Sequence, residues 1–449
     1  MNPVRLMCAV LPKVFLAISV FVVAVPWAGA VESTAIPDNL RVEWKLDPFY
    51  QKQNDNAGLL VVGSEKVSDN ALAEAAWIVG RVLEGRKDIL KAMRENRVRV
   101  VVMAATESTT DVPEHSKLKP KLYWDRRARG LGATLSNPAV SCGEENLLGF
   151  TGDPYPNENI FIHEFAHAIH GTGLSKTDPT FDKRLRAAYQ SALERGLWKN
   201  TYAATNHSEY WAEGVQSWFD DNAPPDALHN DTRTRAKLKE YDNELAKLCE
   251  EVFGDGNWRY TRPAKRKPEA RQHLAGYDPN TLPRFTWREA PVGDKPRVSI
   301  QTSHGDFEVE LDAKAAPEAT ALFLKIALDG GYHNGGIRRT ALDSQTSGYA
   351  VEASVSGAWK DGSAKRFKWE NVPVTKTRPV DGSIAWVRNG ESRGAFVIFV
   401  GTPPEQVGDV VPFGRVIKGA EVVRKMLADV TDDKTPKPVV GIRRILRTE

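Results

Sequence analysis

The sequence predicts an α+β protein of two domains, the second of them mainly β. At 449 residues the chain is too long for one ordinary domain, and 41% of its residues are apolar. Strand-like and helix-like hydrophobic patterns alternate in the first half, whereas period-two alternation dominates from about residue 297. Residues 256–296 are rich in Pro, Gly, Arg and Lys and lack periodicity. We therefore predict a first domain at 31–255, a linker at 256–296 and a second domain at 297–449.

The first thirty residues are typical of an export signal. Arg5 and Lys13 lie ahead of an apolar stretch at 14–25, and Ala-Gly-Ala at 28–30 suits signal peptidase. Cleavage after Ala30 predicts a periplasmic or extracellular protein with no stable membrane span once the signal is removed. An uncleaved anchor is the alternative, although the apolar stretch is short for a bilayer.

The charge of the chain is nearly balanced. It has 61 basic and 58 acidic residues, a formal net charge of +3. Nucleic-acid-binding proteins generally carry a strongly basic patch or stripe. We therefore expect no nucleic-acid partner.

Two cysteines, Cys142 and Cys249, would remain in the mature chain. In an oxidising compartment they could form one disulfide, closing a loop that contains the histidine motif described below. Two buried free thiols are the alternative, because unpaired cysteines are often fully buried. Sequence alone leaves both open.

The elements of the first domain follow from hydrophobic period and cap residues. Strands are predicted at 59–62 and 98–103, and helices at 70–83, capped by Ser68, and at 87–95. Residues 111–157 are richer in Gly, Pro and Asn, which favours edge strands and cleft-lining loops. A mostly buried helix follows the cap-rich residues 156–159 and is predicted to end at Gly171 or Gly173. Another begins near Asn206 and is predicted to end at 224–225 (Pro-Pro).

The motif His163-Glu164-x-x-His167 predicts a metal site. Histidines at i and i+4 share one helix face, so both can bind one ion. Catalytic zinc has three protein ligands and an open position, and Glu209 on the neighbouring buried helix is the best third ligand. Glu164 is then the general base beside the metal-bound water. We expect one Zn²⁺ per chain.

Several alternatives accompany this site. His207 is the second choice for the third ligand, and the structural alternative is a buried helix whose histidines bond backbone carbonyls. A motif variant with Gly three and His six residues after the second histidine does not fit, since those positions hold His170 and Gly173. We interpret His170 as a core residue or one behind the ligands, and Glu213 as the orienter of a metal-bound histidine.

A stretch after the motif carries a family resemblance. Tyr202 and Glu209, followed by Tyr-Trp-Ala-Glu at 210–213, resemble the tyrosine and Glu-Phe-Phe-Ala-Glu signature of the anthrax lethal factor catalytic domain and related gluzincin peptidases. The resemblance covers about fifty residues. It implies a zincin-like domain that cleaves a peptide or protein substrate, with Glu209 as a zinc ligand and Tyr202 as the oxyanion donor.

Residues 297–449 resemble a cyclophilin-type peptidyl-prolyl isomerase over almost their whole length, which implies a closed eight-stranded β-barrel. The matching pieces begin at Thr302, Ala316, Gly331, Gly382, Gly394 and Phe413. Where the family has Phe-His-Arg-Val, residues 337–340 are Ile-Arg-Arg-Thr, so only the catalytic arginine is kept, as Arg339. The family's Gln-Gly-Gly is reduced to Ser-Gly at 347–348, and its Gln-Phe-Phe is Ala-Phe-Val at 395–397. We therefore predict a weak or lost isomerase rather than an efficient one.

Together these features predict an exported, zinc-dependent peptidase fused to a divergent cyclophilin-like domain. One alternative is a prolyl isomerase with an inactive N-terminal scaffold. Another is a secreted peptide-binding protein without catalytic activity.

Overall fold

The computed structural model describes residues 33–226, 228–288, 291–328, 331–332, 335–341, 349–353, 378–387, 395–403, 410–429 and 440–448. The predicted export signal therefore lies outside the described residues. Within these ranges, none of the helices has the length and apolar character needed to span a bilayer.

The first domain is built on a six-stranded mixed sheet in the order β1-β2-β3-β4-β6-β5. The central strands β3, β4 and β6 are parallel, and the edge strand β5 pairs with β6 in the antiparallel sense. Both faces of the central strands are buried, which explains their continuous apolar runs. The strands are β1 Thr34–Ala35, β2 Lys52–Asn54, β3 Leu60–Gly63, β4 Arg99–Met103, β5 Gly130–Leu131 and β6 Ala139–Gly143.

Helices cover this sheet. The main core lies between one sheet face and the helices α2, α3, α6, α8, α9 and α11, and a smaller core under Trp44 and Tyr50 covers the other face. The helices are α1 Asp38–Trp44, α2 Asp69–Val82, α3 Lys87–Glu95, α4 Lys121–Arg127, α5 Glu144–Leu148, α6 Ile160–Ala168, α7 Ser175–Thr177, α8 Phe181–Glu194, α9 His207–Trp218, α10 Arg235–Tyr241 and α11 Asn243–Phe253.

Two local details differ from the sequence prediction. Beyond Ala168 the histidine helix continues as a π-helical turn, Ile169–Leu174, and so passes both glycines that were expected to end it. Ser68 precedes α2, but its side chain does not cap the helix; its backbone N–H donates to Glu144, 2.8 Å away.

Residues 256–288 are packed onto the first domain, whereas the sequence predicted a linker with only Phe285 and Trp287 as possible contacts to that domain. Tyr260, Leu274 and Phe285 are buried in its main core. Arg266 donates to the buried carboxylate of Glu74 on α2, at 2.8 Å for one of the two contacts. The anchors are single aromatic and arginine side chains, which leave no periodic pattern in the sequence. The first domain thus extends to about residue 288.

The second domain is a closed barrel in the order β10-β12-β11-β13-β8-β7-β14-β9. This confirms the predicted barrel and its hairpin, which turns at Ser303-His304 between β7 and β8. Phe323 of α12 packs on Phe396 and Phe413 in the core. The elements are β7 Arg297–Thr302, β8 Gly305–Leu311, α12 Pro317–Leu328, β9 Gly335–Ala341, β10 Tyr349–Ala353, β11 Ser383–Val387, β12 Phe396–Val400, β13 Val410–Lys418, α13 Ala420–Asp429 and β14 Val440–Arg447.

The two cysteines do not form a disulfide, so the paired alternative is wrong. Cys142 lies in the sheet on β6 and Cys249 on α11, and both are buried free thiols. Burial raises the pKa of each thiol well above its usual value. Both behave as small apolar core residues.

Candidate functional site

The helix α6 is held firmly at its N-terminus. The side chain of Asn159 caps it by accepting from the N–H groups of Phe161 and Ile162, at 3.0 and 3.2 Å. The backbone N–H of Asn159 in turn donates to the buried carboxylate of Asp221. These contacts place His163, Glu164 and His167 on a rigid, largely buried helix.

The helix α9 is fixed in the same manner and packs against α6. Asn206 caps it by accepting from the N–H groups of Ser208 and Glu209, at 2.8 and 2.9 Å. The Trp211 indole donates to the carbonyl of Ala166, 2.9 Å away, and ties the two helices together. The predicted start of this helix near Asn206 is therefore confirmed.

Three ligand atoms converge between the two helices. The Nε2 atoms of His163 and His167 are 3.2 Å apart, and Glu209 Oε2 lies 3.1 and 3.2 Å from them, respectively. A tetrahedral zinc ion with bonds of about 2.0–2.1 Å separates neighbouring ligand atoms by about 3.3–3.4 Å. The triangle of ligand atoms therefore has nearly the size of one face of a zinc tetrahedron.

Outer contacts orient both imidazoles toward this point. His163 Nδ1 lies 2.8 Å from Gln216 Oε1, and His167 Nδ1 lies 3.0 Å from Ser208 Oγ. Glu213, the predicted orienter, is 3.7 Å from His163 Nδ1, beyond hydrogen-bond distance. It accepts instead from Asn222, at 3.0 Å. Gln216 is thus the hydrogen-bond partner of His163 Nδ1, and Glu213 lies at ion-pair distance from the same nitrogen.

The electrostatics at this point favour a positive charge. Burial alone would lower the pKa of His163, but the hydrogen bond and charge of Glu209 raise it to about 10. Burial acts in the opposite direction on Glu209, yet contact with the two histidines lowers its pKa well below the usual range. A carboxylate and two imidazole nitrogens in mutual contact favour a proton or a metal cation between them.

Glu164 lies beside the three ligand atoms and borders the cleft. Burial raises the pKa of its carboxyl, and the charge of the neighbouring histidines opposes this shift. The edge strand β5 comes so close that a Cβ on Gly130 would lie 2.9 Å from Glu164 Cγ. A Cβ on Gly132 would lie 2.7 Å from His167 Cβ. Glycine is therefore required for this close approach.

Tyr202 lines both cavities beside the ligand triangle, near His163. Its ring centroid is 6.2 Å from that of His163, and its hydroxyl accepts from Arg127, 3.2 Å away. Burial, followed by the charge of Glu209, raises the pKa of the phenol. The hydroxyl therefore keeps its proton and can donate a hydrogen bond. In the sequence, Arg127 belongs to the short basic pair Arg126-Arg127, which was interpreted as solvated surface; its position in the cleft corrects that interpretation.

His170 and His207 do not belong to the ligand triangle. Both contact Asp182 Oδ1, at 3.1 and 3.3 Å, respectively. Burial lowers the pKa of His170 to about 4. His170 therefore does not orient a ligand, and His207 does not replace Glu209 as the third one. Among the described residues, the one group placed to hold a metal ion is His163, His167 and Glu209.

Two cavities adjoin the ligand triangle. The larger, of about 970 Å³, runs along β5 and the start of α8. The smaller, of about 320 Å³, is the interdomain cavity; it adjoins Tyr202 and is lined by residues of both domains, including Arg127, Gln301, Asp306, Arg443 and Arg444. A peptide could therefore lie across the site, with chain on both sides of Glu164.

In the barrel, Arg339 lies on β9 opposite Val351 of β10. Residues 347–348 lie outside the described residues. Phe396 faces the barrel core, whereas Val397 is buried in a separate apolar cluster with Ala385 and Phe399. Strand β10 therefore separates the strand of Arg339 from the strand of Phe396 and Val397.

Comparisons with known proteins match the barrel. Residues 297–447 match the family model of the cyclophilin type peptidyl-prolyl cis-trans isomerase/CLD. The chain is 29% identical over 163 residues to the peptidyl-prolyl cis-trans isomerase CYP18-2 of Arabidopsis thaliana, covering 35% of this chain and 96% of that protein. It is 31% identical over 155 residues to the isomerase cypE of Dictyostelium discoideum, covering 34% and 96%.

Two solved structures also match the chain over part of its length. A cyclophilin type peptidyl-prolyl cis-trans isomerase of Cryptosporidium parvum is 18% identical, with a TM-score of 0.26, and the match covers 34% of this chain and 97% of that one. The same protein in the presence of the dipeptide Ala-Pro is 19% identical, with a TM-score of 0.25, covering 34% and 98%. The predicted resemblance of the second domain is confirmed by the family model and the curated relatives. The resemblance of the first domain to gluzincin peptidases stays a prediction.

Proposed function

Because the chain belongs, through residues 297–447, to the cyclophilin-type peptidyl-prolyl cis-trans isomerase family, we propose that it is an enzyme acting on peptides at two sites. The first activity is proline isomerisation at the barrel, which the curated relatives support by name. The second is metal-dependent hydrolysis in the first domain. Its support is the geometry of His163, His167 and Glu209 alone.

The isomerase proposal assigns Arg339 to polarise the amide of a bound proline. A hydrogen bond from a charged donor contributes about 1.5–3 kcal/mol, so replacing it should cost about tenfold or more in rate. The test is a proline-isomerisation assay on the full chain, comparing the wild type with Arg339→Ala. Arg424→Ala, on α13 and paired with Asp381, is the matched control. Equal rates for wild type and Arg339→Ala would remove the isomerase proposal and leave a peptide-binding barrel.

The peptidase proposal rests on one observation, the triangle of ligand atoms with edges of 3.1–3.2 Å. The donor set of two imidazoles and one carboxylate is typical of catalytic zinc. When bound there, zinc would lower the pKa of a coordinated water to about 7 and polarise a carbonyl. We propose one Zn²⁺ per chain.

The roles of the surrounding residues follow from their positions. Glu164, half-buried beside the ligands and with a raised pKa, would take a proton from the attacking water and deliver it to the leaving amine. Tyr202, protonated and held by Arg127, would donate a hydrogen bond to the oxyanion. Gln216 and Ser208 would hold the imidazoles in the tautomer that leaves Nε2 free.

Metal content and peptide cleavage test this proposal together. Purified wild type should contain about one zinc per chain, and Glu209→Ala should lose it. A peptide library should be cleaved by the wild type, and a chelator should abolish cleavage. Glu164→Gln should keep its zinc and lose about 10²–10⁴-fold in rate. A chain without zinc, or full cleavage by Glu164→Gln, would contradict the proposal, and absence of cleavage by both proteins would favour a binding protein.

We further propose that the protein acts outside the cytoplasm. The support is the charged start, the apolar stretch at 14–25 and the Ala-Gly-Ala at 28–30. Cell fractionation and N-terminal sequencing of the expressed chain test this. A mature chain beginning at Val31 is expected, and an intact chain retained in the cytoplasm would contradict it.

A further inference from the structure

The barrel forms part of the wall of the metal-site cleft. The interdomain cavity is lined on one side by His163, Glu164 and Tyr202, and on the other by Gln301, Arg443 and Arg444 of the barrel. The barrel is held there by contacts from β7 and β14 to α4. Arg444 Nη1 donates to the carbonyl of Arg127, 2.9 Å away, and Gln301 donates to the hydroxyl of Tyr123, 3.3 Å away.

This cavity carries cationic side chains from both domains. Arg127, Arg443 and Arg444 line it, and among the described residues none of the three makes an ion pair. The Nε atom of Arg443 is buried and has no hydrogen-bond partner there. A buried donor without an acceptor is costly. The arrangement therefore favours an anion between the domains.

Four carboxylates line the same cavity, and three of them accept hydrogen bonds; the fourth, Glu164, is the proposed general base. Glu158 accepts from Gln216, at 2.9 Å, and Glu213 from Asn222, at 3.0 Å. Asp306 accepts from Gln301, at 3.3 Å, and is not within ion-pair distance of any arginine among the described residues. His229, which also lines the cavity, lies 2.9 Å from Asp226. The three arginines are thus the cationic side chains of this cavity that have no carboxylate partner among the described residues.

We infer that Arg443 and Arg444 of the barrel, together with Arg127, recognise a carboxylate of the peptide that occupies the metal-site cleft. This inference rests on the proposed peptidase function and adds a specificity to it. The carboxylate is either an Asp or Glu side chain or the C-terminus of the peptide, on the Tyr202 side of the ligand triangle. The barrel then contributes to the substrate specificity of the first domain, in addition to any isomerase activity of its own.

Matched quenched-fluorescent peptides test the inference. One pair has Glu or Gln within three residues of the scissile bond, with amidated C-termini, and the other has a free or an amidated C-terminus on a neutral peptide. The wild type should favour one of the two carboxylates about tenfold or more in kcat/KM, mainly through KM, and less in high salt. The pair that shows the preference identifies the source of the carboxylate.

Variants of the barrel then assign the preference. The preference should disappear in the double variant Arg443→Gln, Arg444→Gln, and Arg443→Glu should favour a Lys peptide over a Gln peptide. Arg424→Gln, which removes a barrel charge outside the cavity, should keep the wild-type preference. Cleavage without a carboxylate preference, or a preference retained in the double variant, would overturn the inference and leave the peptidase proposal intact.

A binding measurement distinguishes the peptidase proposal from the inference of a carboxylate site. The same labelled peptides are titrated into the Glu164→Gln full chain and its barrel variants, and fluorescence anisotropy reports binding. If no peptide is cleaved but the carboxylate peptides bind tighter by a difference that the double variant loses, the peptidase proposal fails and the carboxylate site stands. If neither cleavage nor binding distinguishes the peptides, the inference is overturned.

Discussion

His163 Nδ1 lies 2.8 Å from Gln216 Oε1, and this contact determines which nitrogen of His163 is available to a metal. Gln216 donates its own amide to Glu158, 2.9 Å away, so its oxygen must face the imidazole. An oxygen acceptor requires a proton on Nδ1. In the neutral imidazole that a metal requires, the lone pair therefore lies on Nε2, which is the nitrogen in contact with Glu209 and His167.

Replacing Gln216 by Leu should weaken zinc binding about 10–100-fold, because the imidazole loses the acceptor that fixes its tautomer. Competition titration with a chromophoric chelator measures the affinity. Ser217→Ala is the matched control, since it also removes a buried hydrogen bond of α9 but leaves His163 untouched. Equal affinities for Gln216→Leu and wild type would show that Gln216 does not orient the ligand.

Replacing Tyr202 by Phe should lower kcat about 10²–10³-fold with little change in KM, because a donor to the oxyanion acts mainly in the transition state. Zinc content should not change. The control is Tyr277→Phe, which removes a hydroxyl bonded to the carbonyl of Leu148, away from the cleft. A proportional rise in KM at constant kcat would instead assign Tyr202 to substrate binding.

The residues of the candidate site that sequence reasoning found are those joined by short, regular spacings. His163, Glu164 and His167 share one helix, and Tyr202 and Glu209 share a motif. Gln216 and Arg127 were missed because their contacts depend on how α6, α9 and α4 pack. A signal for Gln216 existed, since it lies seven residues after Glu209 and therefore on the same face of α9.

The elements of the fold that were predicted are likewise those with regular sequence patterns. The hairpin β7–β8 and the helices α2 and α3 carry periodic patterns and were predicted with small boundary errors. The start of α9 was predicted correctly, but the helix ends at Trp218, well before the predicted end at 224–225. Residues 256–288 carry no such pattern, because they attach through Arg266, Tyr260 and Phe285 one side chain at a time. Whether Cys142 and Cys249 meet depends on tertiary packing, which their spacing does not encode.

His115 should make the first domain less stable in acid. It is 2% exposed, and burial lowers its pKa from 6.5 to about 4. Below pH 6.5 the unfolded chain therefore binds a proton that the folded chain does not, so stability falls as pH decreases from 6.5 to 4 and levels off below. The loss is at most about 3 kcal/mol.

Urea unfolding at pH 7 and pH 4.5 measures this effect in the wild type and in His115→Gln. The other titrating groups are common to both proteins, so the difference between them isolates His115. The wild type should lose more stability on acidification than the variant. An equal loss in both would contradict the assignment.

Replacing Arg266 by Met should destabilise the first domain by about 3–5 kcal/mol, because it leaves the carboxylate of Glu74 buried without its main partner. Urea unfolding followed by tryptophan fluorescence suits this test, since the Arg266 guanidinium lies 4.1 Å from the ring centroid of Trp77. The double variant Glu74→Leu, Arg266→Met removes both charges and should recover much of the loss. If Arg266→Met unfolds like the wild type, the packing of residues 256–288 contributes little to stability, as expected of the linker predicted from the sequence.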